Sequence, residues 1–79
     1  MAPSNEWFDA LVQETRDAVA GYLRQYLSSP EDIKDVLQEA YLNVYCTLRN
    51  KQDKQHMPRA LLYTTARNIA LSRLRHRQV

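Results

Sequence analysis

The sequence predicts an all-α domain, a bundle-like packing of three helices. Three observations lead there. Apolar residues recur at the helical period in three successive stretches. The chain holds a single glycine, and its three prolines, Pro3, Pro30 and Pro58, stand at the edges of those stretches. A capping residue or a proline marks the start of each one. With 79 residues, 44% hydrophobic and 25% charged, the chain reads as one globular domain, near the small end for burying its own core.

Residues 5–27 read as the first helix. Asn5 or Ser4 caps it, and Glu6 and Asp9 sit where the helix dipole favours acids. Trp7/Phe8, Leu11/Val12, Thr15, Ala18/Val19, Tyr22/Leu23 and Tyr26/Leu27 repeat at the helical spacing and read as core, aromatics included. Gly21 reads as a place for close helix packing.

Ser28, Ser29 and Pro30 break the chain, and the second helix follows over residues 30–49. Ser29 is its N-cap, Pro30 fits the next position, and Glu31 and Asp32 complete an acidic first turn. Ile33, Val36, Leu37, Ala40, Val44 and Leu48 form its core face, with Tyr41 and Tyr45 at one margin. The opposite face carries Asp35, Gln38, Glu39, Leu42 and Cys46. Leu42 there is either an ordinary exposed leucine or the centre of a docking patch ringed by hydrogen-bonding groups.

Residues 50–57 are polar up to Met57 and read as a loop. Its Lys51, Lys54, Gln, Asp and His side chains either contact a splayed base or are simply solvated. The third helix spans residues 58–76 and opens on Pro58, whose missing N–H costs nothing at a first helical position. Leu61, Leu62, Thr65, Ala66, Ile69 and Ser72 share its expected core face. Tyr63, Thr64, Arg67, Asn68, Leu71 and Arg75 point the other way. From Pro58 to Arg77 there are five arginines and no acid. Cations, an amide and an aromatic ring on one face suit nucleic acid. The alternative is a solvated basic end favoured by the helix dipole.

Net charge sharpens that choice. The total is +2. Residues 1–48 hold three cations against eight acids, a balance of −5, while residues 49–79 hold eight cations against Asp53, a balance of +7. Such a split points to two partners of opposite character, the basic half facing a polyanion. Enzyme, metal and cofactor chemistry find no support. His56 and His76 lie far apart in sequence, Cys46 is alone, and no C-x-x-C, H-E-x-x-H or Gly-rich phosphate loop occurs. No apolar run reaches the roughly 20 residues of a membrane span, and residues 1–10 do not resemble a signal peptide, so a cytoplasmic protein is expected.

Two motifs carry a resemblance. D-x-x-Q-E (Asp35, Gln38, Glu39) and A-R-N-x-A (Ala66, Arg67, Asn68, Ala70), separated by a polar loop, together resemble region 2 of bacterial sigma factors. The extracytoplasmic-function group is the most similar. The P-R-A-x-L start (Pro58, Arg59, Ala60, Leu62) resembles its iron-starvation branch. The resemblance implies an RNA polymerase sigma factor domain that docks on the β′ clamp helices through Asp35, Gln38, Glu39 and Leu42. It implies recognition and melting of the minus-ten promoter element on its non-template strand. Asn68 would contact a base there, Arg67, Arg73, Arg75 and Arg77 phosphates, and residues 50–57 would form the pocket for a flipped base. Arg59, Tyr63, Lys51 and Lys54 complete the expected DNA contacts, and an anti-sigma factor is a further expected partner.

Three departures stand beside it. Leu61 replaces a common aromatic, Ser72 replaces a common acid, and nothing in the chain resembles region 4. Two other classes remain open at this point. One is a small helical protein-interaction domain with a basic helix, and the other a non-specific nucleic-acid-binding bundle.

Overall fold

The computed structural model describes residues 6–48 and 58–77, with side chains at all of these except Pro58 and Arg77. It is all-α: α1 (Glu6–Leu23), α2 (Pro30–Leu48) and α3 (Pro58–Arg77) pack around one core. α1 and α2 run antiparallel, as the Phe8–Tyr45 ring contact and the Thr15–Tyr41 hydrogen bond place them. α1 and α3 run parallel, with Glu14 beside Arg59 and Tyr22 beside Tyr63. Among the described residues no helix is long and apolar enough to cross a membrane.

α1 stops at Leu23, short of the expected Leu27. Arg24 N–H bonds the Gly21 carbonyl at 3.2 Å and Tyr26 N–H the Leu23 carbonyl at 2.9 Å. Such i→i+3 bonds tighten the last turn and end the regular ladder. Gly21 lowers helix propensity just before this point. It does not serve close packing, because a Cβ built there meets nothing within 4 Å. Leu27 stays buried all the same and closes that end of the core.

Ser29 caps α2, its carbonyl accepting from Ile33 N–H at 3.1 Å and its hydroxyl from Asp32 N–H at 3.5 Å. Val36, Ala40 and Val44 are wholly buried, but Leu37, expected in the core, is only half-buried beside them. The same outcome is sharper in α3. Its buried seam is Leu62, Ala66 and Ala70. Leu61, Thr65 and Ile69 are half-buried and Ser72 is exposed, so the core face is rotated away from the expected one. The two alanines explain the rotation. Their side chains are single methyl groups, so this stripe can be wholly buried against α1 and α2.

One polar chain crosses this core. Thr15 Oγ1 donates to the Leu11 carbonyl at 2.5 Å, and the Tyr41 hydroxyl donates to Thr15 Oγ1 at 2.7 Å. Both residues are buried, and burial pushes the Tyr41 pKa above its ordinary value.

Candidate functional site

α3 separates two surfaces of opposite character. On its α2 side, the spacing of Asp35, Gln38, Glu39 and Leu42 along α2 turns all four to one face. The first three are exposed, and Leu42 is 56% exposed. These four and Arg73 line one shallow hollow of about 290 Å³. The Arg73 guanidinium lies 3.6 Å from Glu39 Oε1 and 4.0 Å from Asp35 Oδ2. Sequence reasoning grouped Arg73 with the phosphate contacts, and the structure sets its guanidinium beside the α2 acids. Arg73 and Arg75 are two residues apart, about 200° around the helix, so Arg73 faces the α2 acids while Arg75 faces solvent.

The other surface is the exposed side of α3. Arg67, Asn68 and Arg75 are exposed there. The Asn68 amide makes no hydrogen bond to a described residue, and neither Arg67 nor Arg75 is paired with a described acid. Arg59 is also exposed, but its guanidinium is bound to the Glu14 carboxylate at 2.5 Å, which moves it from the free cations to the α1–α3 seam. Both partners are well exposed, so that pair contributes little to stability. Arg77 ends α3, and its side chain lies outside the described residues, as do Lys51, Lys54 and the whole of the 50–57 loop.

Beside α3 the structure brings Tyr22 and Tyr26, which periodicity had assigned to the core, together with Tyr63, which it had assigned to the outer face. Tyr22 contacts Tyr26 edge-on at a centroid distance of 5.7 Å and Tyr63 at 5.1 Å. The Tyr22 and Tyr26 hydroxyls are 3.5 Å apart, and all three tyrosines are only half-buried. Tyr26 is held below its ordinary pKa, first by the hydrogen bond to Tyr22 and then by the Arg67 guanidinium beside it. Tyr22 is pushed above its own, chiefly by the same hydrogen bond. The i,i+4 spacing of two hydroxyl-bearing rings was the available signal, since a fully buried position seldom takes two phenols that must both find partners.

Among the described residues, no group of three or more His, Cys, Asp or Glu side chains is placed to hold a metal ion. Cys46 is a free, exposed thiol. A family model described as Sigma-70 region 2 matches residues 11–79. Comparison with curated proteins and with solved structures returned no match.

Proposed function

The chain belongs to the Sigma-70 region 2 family, a transcription-initiation module of RNA polymerase sigma factors and not an enzyme, and from that premise we propose how its two surfaces divide the work. RNA polymerase and promoter DNA are the partners of this family. The acidic hollow of Asp35, Gln38, Glu39 and Leu42 docks on the β′ clamp helices. Its exposed leucine supplies an apolar anchor and its carboxylates select a cationic partner. The exposed face of α3 takes the non-template strand of the minus-ten element and helps hold it melted. Asn68 reads a base edge there, while Arg67, Arg75 and Arg77 hold phosphates. Lys51, Lys54 and the 50–57 loop complete that site as the pocket for a flipped base. The two motifs support a single region 2 domain of the extracytoplasmic-function group, iron-starvation branch. On that reading it acts in the bacterial cytoplasm under an anti-sigma factor.

One observation carries this reading. Asp35, Gln38, Glu39 and Leu42 share a hollow on one side of α3, and Arg67, Asn68 and Arg75 stand free of that hollow. The test is a pair of binding measurements. Glu39→Lys should weaken binding of a β′ clamp-helix fragment about tenfold or more, with the circular dichroism spectrum unchanged. Asn68→Ala should cost about 1–3 kcal/mol on a matched minus-ten strand and little on a scrambled one. Full clamp binding by both Glu39→Lys and Leu42→Ala would remove the docking assignment. An equal loss on both strands would move base reading from Asn68 to the loop.

A further inference from the structure

Leu37 was expected in the core and stays half-buried, and the space beside it explains why. A cleft of about 490 Å³ lies where the chain turns from α1 into α2. That volume falls in the roughly 300–1,000 Å³ range of small-molecule sites. Its apolar lining comes chiefly from Ala20, Leu27, Ile33 and Leu37. Leu27 and Ile33 are buried and form its floor, while Ala20 and Leu37 are half-buried walls. All the lining residues lie between positions 20 and 37, so the cleft is a local hollow at one end of the α1–α2 pair and not a groove along it.

The charge at this cleft runs against its surroundings. Residues 1–48 hold eight acids and three cations. Two of those three cations, Arg24 and Lys34, line the cleft, and none of the eight acids does. Arg24 opens the tightened turn that follows α1, and Lys34 lies in the second turn of α2. Both are exposed, and among the described residues neither is ion-paired. An apolar floor with two unpaired cations at its rim matches a ligand with a hydrocarbon tail and one anionic head.

We propose that this cleft binds a small amphipathic carboxylate, its tail against Leu27, Ile33 and Leu37 and its head between Arg24 and Lys34. The tail supplies most of the affinity, about fourfold for each methylene buried. The cations select the head and fix its position. The site shares no residue with the hollow of Asp35, Glu39 and Leu42 or with the exposed face of α3, and it stands whether or not those surfaces act as described.

Titration of the isotope-labelled whole chain with octanoate, followed by nuclear magnetic resonance, tests this. Octanol lacks the charge and acetate lacks the tail, and all three are kept below any micelle-forming concentration. Octanoate should shift signals from residues 20–37 and saturate at millimolar concentration or below. Acetate should shift none, and octanol should bind about fivefold more weakly or worse, having lost two exposed ionic contacts. Hexanoate, two methylenes shorter, should bind about tenfold more weakly than octanoate. Arg24→Gln combined with Lys34→Gln should lower octanoate affinity to that of octanol and leave the melting temperature unchanged, since both side chains are exposed. Ala20→Leu fills the cleft and should abolish binding of both ligands. Should Ala20→Leu fail to fold, the hexanoate comparison on the wild-type chain tests the tail instead. Equal affinity for octanoate and octanol, or a double variant that binds like wild type, overturns the site. So do shifts spread beyond residues 20–37, or none at all. Shifts at these residues produced by raising the protein concentration alone assign the cleft to a second copy of the chain, and overturn it as well.

Discussion

Thr15 has one hydroxyl proton, and the geometry commits it to the Leu11 carbonyl, which leaves Tyr41 as donor to Thr15. The two ends of that chain are unequal. Tyr41→Phe removes a donor and leaves Thr15 bonded, and should cost about 1 kcal/mol. Thr15→Val strands a buried phenol and should cost about 1–3 kcal/mol. Urea titrations of the two variants will rank them, and the reverse order would mean Tyr41 reaches water. Because burial raises the Tyr41 pKa, the folded state holds its proton more tightly than the unfolded state. Its contribution is whole below the unfolded value of 10.0 and is lost as pH rises through the folded one. Stability should fall above about pH 10 more steeply in wild type than in Tyr41→Phe. The sequence made Thr15 visible as a core position through its spacing alone. Its partner was hidden, since only the mutual rotation of α1 and α2 brings Tyr41 to it. The acidic neighbours of Arg73 were hidden for the same reason. The acids on α2 share a face in any α-helix, but which arginine of α3 meets them depends on how α3 is turned.

At the scale of the element, α1 is legible at its start and not at its end. Acids in the first turn mark the start by local electrostatics. The end is set by two short backbone bonds that no residue type announces, and the apolar rhythm runs on through Tyr26 and Leu27 as if the helix continued. Gly21 sits inside the last regular turn with open space where a Cβ would stand. Gly21→Ala should therefore stabilise the protein by roughly 0.5–1 kcal/mol, a rise of a few degrees in melting temperature. A lower melting temperature would show that the tightened turn after Leu23 needs the freedom of glycine. α3 teaches the complementary lesson. Its length was readable from Pro58 and the unbroken run after it. Its buried stripe was legible only in part: Leu62 and Ala66 stood on the expected face, but Ala70 did not, because counting large apolar side chains weights bulk.

Across the whole molecule, the acidic and basic halves do not simply face apart. α3 is one helix thick, roughly 10–12 Å with side chains, and the carboxylates of Asp35 and Glu39 lie against the side opposite Asn68 and Arg75. That thickness is close to the Debye length of about 10 Å at 0.1 M salt. A phosphate held on the outer face of α3 is thus largely screened from the α2 acids at that salt, but at about 0.01 M, where the Debye length is about 30 Å, their field reaches and repels it. Arg73 cancels part of that field by sitting on the acids. A cationic partner docked in the hollow would cancel the rest, so the two binding events favour each other through space without any change of shape. Linkage makes the effect reciprocal, so the strand must strengthen docking by the same factor. In dilute salt the clamp fragment should raise strand affinity severalfold, Arg73→Ala should enlarge that gain, and about 1 M salt should abolish it in both proteins. Calorimetry of strand binding with and without saturating clamp fragment would measure this, and cooperativity that survives high salt would point instead to a conformational route. The domain then acts as a capacitor, with one helix as the dielectric between its two plates.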